Sequence, residues 1–306
     1  MTKHDTSDIC AIIVTYHPDP LALSALLKAV AIQVGTTVVV DNTAPEDIGQ
    51  FGDVPMDGVQ VLFQNQNQGL AVAQNMGIDW ARQYGCAYVL LLDQDSTPVE
   101  GMVAALLSAY QRLSRTERVA AVGPRFHDLR EERDAPFIRV GHLFNRKRWC
   151  EFNEQVLESD FLISSGALIP LEVIEDVGEM DAGLFIDNVD LEWSFRVRAR
   201  GYRLYGVCAA AMNHRLGDSR RALPLGLGQV VVHGPVRLYF MMRNRLRIYA
   251  MPHTPLAWIL QDIPRFVIKL MLFGVLIGPR MRNLRFMFRG IKDGLVGRQG
   301  PCPLVN

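Results

Sequence analysis

Tyr88-Val-Leu-Leu-Leu-Asp93-Gln94-Asp95 is the stretch of sequence that decides the fold. Its apolar run is typical of a strand buried on both faces of a parallel sheet, and two carboxylates follow directly. Towards the N-terminus, residues 9–15, 36–40 and 59–64 read as further strands, with helical stretches at 21–32 and 69–84. Alternating strands and helices predict an α/β fold built on a doubly wound, mostly parallel sheet.

Polar residues stand at three of the predicted strand ends. They are Thr15-Tyr16, Asp41-Asn42 and Asp93-Gln94-Asp95. Ligands of open parallel sheets bind beyond the carboxyl ends of the strands, where such side chains meet. The sequence therefore predicts one ligand site at this edge of the sheet.

The carboxylates Asp93 and Asp95 predict a divalent-cation site. Mg²⁺ or Mn²⁺ prefers oxygen ligands and is commonly shared with substrate phosphates. Two alternatives stay open at this point. Asp95 or Ser96 could cap a helix beginning near Pro98. Asp93-x-Asp95-x-Thr97 also fits the nucleophile motif of haloacid-dehalogenase phosphatases, although that family places the motif on its opening strand.

Other polar motifs follow the first strands. Residues 67–77 carry small residues at about every second position together with the amides of Asn67 and Asn75, which suits either a polar ligand or a helix packed closely on the sheet. Residues 161–170 read as a strand interrupted by Ser164-Ser165-Gly166. Residues 184–193 hold Asp187, Asp190 and Glu192, so they offer a general base or simply acidic residues at a helix start. His214 is a candidate metal ligand or a structural histidine.

Charge divides the chain into two parts. Lysine plus arginine equals aspartate plus glutamate over the 306 residues, yet residues 237–306 carry twelve basic and two acidic side chains. We expect a catalytic domain at 1–236 and a basic, helical region at 237–306. Asp262, Arg265 and Lys269 fall at i, i+3 and i+7, which favours an amphipathic helix at a membrane surface over a helical hairpin packed on the first domain.

The five cysteines and the N-terminus predict an intracellular protein. The cysteines are odd in number and lack metal-binding spacing, so we expect reduced thiols. The apolar run at 9–15 is too short for a signal peptide, so no secretion is expected.

Five motifs in order closely resemble bacterial rhamnosyltransferases of glycosyltransferase family 2, including O-antigen rhamnosyltransferases and the second rhamnosyltransferase of rhamnolipid synthesis. The resemblance covers about residues 9–250. The motifs are residues 67–77, Leu-Leu-Leu-Asp93-Gln-Asp95-Ser, Phe161-Leu-Ile-Ser-Ser-Gly166, Phe185-Ile-Asp-Asn-Val-Asp190-Leu-Glu-Trp193 and His214-Arg-Leu-Gly-Asp218.

The resemblance implies a GT-A fold, a dTDP-L-rhamnose donor, an Mg²⁺ or Mn²⁺ ion and inverting transfer. It implies Asp95 as the main metal ligand, with Asp93 and His214 beside it. Many family members carry a Glu-Asp pair where this chain has Asp187-Asn188, so Asp187 is the expected base and Asp190 the next candidate. The implied donor-side residues are Thr15, Tyr16, Asp41, Asn67, Gly69, Asn75, Asp93 and Gln94, and the implied acceptor-side residues are Ser164, Ser165, Gly166 and Trp193.

The expected acceptor is a hydroxyl of a lipid-linked saccharide or glycolipid, with mono-rhamnolipid as the alternative. We therefore expect a peripheral protein on the cytoplasmic face of the bacterial inner membrane. No nucleic-acid partner is expected, and a homodimer is compatible with the sequence.

Overall fold

A computed structural model of the chain describes residues 5–44, 58–127, 134–214, 220–222 and 229–305. The strands are β1 (Ile9–Thr15), β2 (Thr36–Asp41), β3 (Val59–Phe63), β4 (Tyr88–Asp93), β5 (Ser96–Pro98), β6 (Val119–His127), β7 (Phe137–Arg139), β8 (Arg146–Arg148), β9 (Val156–Ser159), β10 (Leu168–Pro170), β11 (Arg203–His214), β12 (Arg220–Ala222) and β13 (Gln229–Val231). The helices are α1 (Pro20–Ala31), α2 (Leu70–Gln83), α3 (Met102–Leu113), α4 (Leu171–Val177), α5 (Val189–Ala199), α6 (Pro235–Tyr249), α7 (Leu256–Met271) and α8 (Arg280–Leu295).

The main sheet runs in the order β3-β2-β1-β4-β10-β6-β11-β5, and β9 also pairs with β11. Strands β3, β2, β1 and β4 are parallel, and so are β6 and β11, whereas β10 is antiparallel to both its neighbours. Every residue of β1 is buried, because helices cover both faces of this sheet. The expected α/β fold with a mostly parallel sheet is confirmed.

The segment after β4 differs from the helix start considered above. Ser96–Pro98 forms β5, antiparallel to the end of β11, and α3 begins only at Met102. The helix-cap alternative for Asp95 and Ser96 is therefore wrong, because the backbone bonds of this segment are made across the sheet. Residues 161–167 form a single bridge, from Phe161 to Ile138, followed by a turn rather than a continuous strand, and Leu168–Pro170 forms β10.

Cys150 and Cys208 form a disulfide, which corrects the expectation that all five thiols are free. The two residues are 58 positions apart, but the turn before β9 lies over β11 and brings their Cα atoms to 5.6 Å, a normal separation for this bond. The spacing of cysteines in the sequence does not reveal a tertiary contact of this kind. Cys10, Cys86 and Cys302 are free thiols.

The C-terminal helices pack on the preceding residues through α6. Phe240 of α6 stacks on Phe185 with ring centroids 4.9 Å apart, and Tyr239, Phe286 and Cys302 complete this small core. Within the described residues, no helix is both long and apolar enough to cross a bilayer. The division at 236/237 stays a prediction, but α6 contributes directly to the site described next.

Candidate active site

A cleft of about 580 Å³ opens at the carboxyl ends of β1 and β4. It brings together residues that are distant in sequence, from the loop before α2, from the turn before β10 and from the segment before α5. The predicted site residues that line it are Thr15, Tyr16, Asn67, Gly69, Asp93, Gln94, Asp95, Ser164, Asp187 and Asp190. Folds of this class bind their ligands beyond the carboxyl ends of the strands.

Asp93 and Asp95 form the acidic side of the cleft. Desolvation and the negative charge of Asp95 raise the pKa of Asp93 to about 7, and the charge of Arg237 opposes the shift. A carboxyl group with such a raised pKa gains from a nearby cation, because the cation stabilises its ionised form. Ser165 Oγ accepts a hydrogen bond from Asp93 N at 3.2 Å and helps to fix the end of β4.

The carboxylates of Asp93 and Asp95 fit a divalent cation that a bound substrate also coordinates. Two carboxylates at a strand end, completed by substrate phosphates and water, are a common arrangement for Mg²⁺. In the described part of the chain, no three His, Cys, Asp or Glu residues are grouped as a complete protein-only metal site. The backbone of His214 pairs with Ser96, but its side chain lies outside what the structure describes, so its metal role stays a prediction.

Asp187 faces the cleft and is held by Arg237. Arg237 Nε donates to both carboxylate oxygens, at 3.1 and 3.3 Å, and Arg237 Nη2 lies 3.1 Å from Oδ1. The Asp187 side chain is 12% exposed. Phe185, Asp187 and Asn188 have positive φ of 66°, 63° and 63°, a region that Asp and Asn enter more readily than a bulky residue such as Phe185. Contacts with the surrounding structure hold this strained turn in place.

Asn244 of α6 supplies that support. Its Nδ2 donates to the carbonyl oxygens of Leu184, Ile186 and Asp187 at 2.9, 2.7 and 2.8 Å. The neighbouring Arg243 donates to Leu184 O at 2.7 Å, and both side chains are fully buried. The position of the candidate base therefore depends on a helix that begins some fifty residues later in the chain.

Asn244→Ala is expected to destabilise the fold by about 2 kcal/mol, because three carbonyls of the turn that carries Asp187 lose a donor. For a chain of this size, this corresponds to a fall in Tm of roughly 5 °C. We also expect at least a tenfold fall in kcat at a temperature where the variant is folded, because the Asp187 turn loses its support. Calorimetry and steady-state transfer assays measure the two effects.

Asn283→Ala is the matched control for that prediction. Asn283 is also buried and its Nδ2 donates to Phe273 O and Ile277 O, which lie outside the turn that carries Asp187. It should lower Tm while leaving kcat near the wild-type value. Equal losses of kcat in the two variants would contradict a specific role for Asn244.

Asp190 is the second acidic residue on the side of the cleft that holds Asp187. Desolvation raises its pKa to about 6, although a hydrogen bond from Leu191 N to Oδ1 at 2.8 Å opposes the shift. As expected for a helix start, Asp190 and Glu192 occupy the first turn of α5. Glu192 is buried and pairs with Arg196 at 2.8 Å, so its carboxylate has a structural partner.

Three of the four expected acceptor-side residues lie behind the cleft instead of on its surface. Ser165 is fully buried and bonds to Ser96, while Trp193 is 3% exposed and donates from Nε1 to Gly178 O at 3.1 Å. Gly166 has φ of 80°, and a Cβ there would lie 2.6 Å from Pro124 Cγ. These residues support the site, and Ser164 alone of the four lines the cleft.

On the donor side, two expected residues do not line the cleft. Asp41 is buried and accepts from Thr15 Oγ1 at 2.7 Å and from Thr43 Oγ1 at 2.9 Å. Its contact with a nucleobase stays a prediction. Asn75 exchanges two hydrogen bonds with the backbone of Met180, at 2.9 and 3.0 Å, because α2 places it towards that segment.

Gln94 and Gly69 shape the rest of this side. Gln94 bonds through both ends of its amide to the backbone of Tyr16, with Tyr16 N donating to Oε1 at 2.8 Å, and this joins the ends of β1 and β4. Gly69 has φ of 94°, and a Cβ there would lie 2.6 Å from Phe185 O. Glycine is thus required for the start of α2 to approach the turn that carries Asp187.

The sequence placed Asn42 at a strand end without assigning it a role, and it did not assign Phe185, Asn188 or Arg237 to the cleft that they line. Phe185 and Asn188 stand inside a recognised motif, so position next to a site residue was the available signal. Arg237 had no such signal, because it is one arginine among many in the basic C-terminal region. Only the fold shows that α6 begins at the mouth of the cleft.

Comparison with known proteins agrees with this geometry. Residues 10–177 match the family described as Glycosyl transferase family 2. A Shigella flexneri protein named dTDP-rhamnosyl transferase RfbF is 29% identical over 296 residues, which are 96% of each chain.

Two solved structures share the fold. GalNAc-T7, in a structure with UDP, GalNAc and Mn²⁺, aligns with a TM-score of 0.54 at 14% identity, covering 87% of this chain and 56% of its own. S. aureus TarS also aligns with a TM-score of 0.54, at 12% identity, covering 94% of this chain and 49% of its own. The chain thus spans about half the length of these two proteins, and they support the fold alone.

The expected GT-A fold is confirmed, and the phosphatase alternative is wrong, because the Asp93 strand lies inside the segment that matches a different enzyme family. The chain belongs to glycosyl transferase family 2 and is a glycosyltransferase.

Proposed function

We propose that this enzyme transfers L-rhamnose from dTDP-L-rhamnose, with inversion, to a hydroxyl group of a lipid-anchored saccharide. One observation carries the proposal. The carboxylates Asp93 and Asp95 and the Arg237-held Asp187 line a single cleft at the strand ends, as a metal-assisted displacement requires. The alignment with the Shigella dTDP-rhamnosyl transferase over nearly the whole of both chains supports the donor.

Asp95 and Asp93 are the residues that would hold Mg²⁺ or Mn²⁺. When bound there, the cation would supply positive charge that stabilises the departing diphosphate. Arg237 adds a fixed positive charge close to both Asp93 and Asp187. Such preorganised charge in a partly enclosed site stabilises the transition state more than the same charge in water.

Asp187 is the proposed general base. It takes the proton of the acceptor hydroxyl, whose oxygen attacks the anomeric carbon of the donor from the side opposite the diphosphate. The bond from that carbon to the diphosphate oxygen breaks, and dTDP leaves with both bonding electrons. The ion pair with Arg237 orients Asp187, so that the base is already positioned when an acceptor arrives.

The proposed acceptor class is a sugar hydroxyl attached to a lipid, which includes lipid-linked saccharides and mono-rhamnolipid. An exposed apolar face on α7 supports this class, since its occupant would be a lipid surface. We propose that the enzyme works as a peripheral protein at the cytoplasmic face of the inner membrane.

A donor screen tests the proposed sugar nucleotide. Thermal shifts are measured with dTDP-L-rhamnose, UDP-glucose and GDP-mannose, each with Mn²⁺. At a concentration of 100 Kd, the true donor should stabilise the protein by about 2.7 kcal/mol. We expect this shift with dTDP-L-rhamnose alone, together with its slow hydrolysis. A larger shift with either of the other two donors would contradict the proposal.

A further inference from the structure

Helix α7 faces the opposite way from an ordinary surface helix. Its acidic Asp262 is 2% exposed and is held by Tyr249 Oη at 2.6 Å and Arg245 Nε at 3.1 Å. Lys269 also points inward, with Nζ 3.6 Å from Met241 Sδ, and burial lowers its pKa to about 8. Two of the three charges that predicted a water-facing side therefore lie against the protein.

The outward side of α7 is apolar. Leu256, Leu260, Ile263, Val267 and Met271 are between 44% and 67% exposed. Their spacing places them on one side of the helix. A helix that meets water buries such a stripe, so this one implies a non-aqueous partner.

Further exposed apolar residues lie near both ends of α7. Past its C-terminus, Leu276 and Met281 line a shallow depression of about 670 Å³ together with Arg280 and Arg282. Near its N-terminus, the loop between β7 and β8 presents Leu143 and Phe144, which are 78% and 80% exposed. Gln261 Nε2 donates to Gly141 O at 2.6 Å and attaches this loop to α7.

Exposed basic residues accompany this surface, and Arg280 and Arg282 lie directly beside its apolar residues. β8 consists of three exposed basic residues, Arg146, Lys147 and Arg148. In residues 256–298 the only acidic side chains are Asp262 and Asp293, each 2% exposed. Arg265, Arg280, Arg282, Arg285, Lys292 and Arg298 are exposed in the same segment. An anionic bilayer complements an apolar centre with a cationic border.

A second copy of the chain is a poorer occupant. A two-fold interface places the same patch on both sides, so the arginines would face arginines across it. We propose that the outward side of α7 and the loop tip Leu143–Phe144 insert together into the interface of an anionic bilayer, with the surrounding basic residues binding lipid phosphates.

This orientation has a consequence for the acceptor, which rests on the proposed function. Lys269, on the inward side of α7, contacts Met241 of α6, one turn after the Arg237 that holds Asp187. The C-terminal half of α7 therefore lies beside the part of α6 that supports the base. We expect a lipid-anchored sugar to reach Asp187 along this half of the helix.

Vesicle flotation tests the surface with the full-length protein. Phosphatidylcholine vesicles containing 30% phosphatidylglycerol (roughly the charge of an anionic leaflet) are compared with pure phosphatidylcholine. We expect binding to the anionic vesicles and at least tenfold weaker binding for Leu260→Glu/Val267→Glu and for Leu143→Glu/Phe144→Glu. Leu21→Glu/Ile32→Glu is the matched control, because both residues are exposed and apolar on α1 and its C-terminal cap, away from α7.

Several outcomes would overturn the proposal. They are failure of the folded wild-type protein to bind anionic vesicles, equal binding by the α7 variant and the control, and a dimer in light scattering that the α7 variant dissociates while vesicles do not bind. Titration calorimetry with dTDP and Mn²⁺ runs on the same variants. If a variant still binds dTDP but no longer floats with the vesicles, its membrane surface is impaired and its donor site is intact. If the wild-type protein fails to bind dTDP, the proposed function is contradicted.

Discussion

Asp187→Asn is expected to lower kcat for rhamnosyl transfer by about 10³-fold, within the usual contribution of a general base. Asparagine keeps the shape of the side chain and can still accept one hydrogen bond from Arg237, but it cannot take a proton. Donor binding should stay within a factor of about three of wild type, because the donor does not depend on that proton transfer. Single-turnover transfer and calorimetric titration with dTDP-L-rhamnose separate the two effects.

Asp190→Asn is the control for the identity of the base. Asp190 lines the same cleft, but Arg237 does not hold it, and its carboxylate accepts from the backbone of α5. With a pKa of about 6 it is largely ionised at pH 7.5, so the substitution removes a charge as well as a base. We expect a loss of less than tenfold. A 10³-fold loss here combined with near-normal turnover in Asp187→Asn would assign the base to Asp190.

Asp95→Ala is expected to reduce transfer by about 10³-fold and to abolish Mn²⁺-dependent binding of dTDP. The physical reason is loss of the carboxylate that would hold the cation, which leaves the charge on the departing diphosphate poorly compensated. Calorimetry with dTDP, with and without Mn²⁺, measures the metal-dependent part of the affinity. Electron paramagnetic resonance of free Mn²⁺ reports the bound ion without any need for turnover.

Glu100→Ala is the matched variant for that experiment, since Glu100 is an exposed carboxylate a few residues further along that does not line the cleft. It should bind Mn²⁺ and dTDP as the wild-type enzyme does. Full activity of the wild-type enzyme in excess chelator would remove the proposed metal role of Asp95 and leave Arg237 as the main charge facing the diphosphate.

The first half of the sheet was predictable to within about a residue. The expected strand at 9–15 is observed as Ile9–Thr15, and the expected helix at 21–32 as Pro20–Ala31. These elements are buried on both faces or strongly periodic, so the pattern of apolar residues along the sequence identifies them. The turns at 161–167 were not predictable in the same way. Their apolar residues pack behind β4, and an apolar run of this kind resembles a buried strand in the sequence.

Most of the expected site residues line the cleft, because their positions at strand ends follow from the parallel sheet itself. The exceptions share one cause. Trp193, Asn75 and Ser165 bond to backbone or side chains behind the cleft, and the direction of a side chain depends on which segment packs against it. Residue type and spacing hold no information about that direction.

The sequence by itself determined the alternation of strands and helices, the Asp93-Gln94-Asp95 stretch at a strand end and the acidic segment around Asp187, because these depend on local patterns. Only the tertiary structure decided that Arg237 pairs with Asp187, that Cys150 bonds to Cys208 and that α7 turns its apolar side outward. Each of these joins segments far apart in the chain or depends on which face a neighbouring element covers. Such contacts arise from packing and leave no periodic signal in the residues that make them.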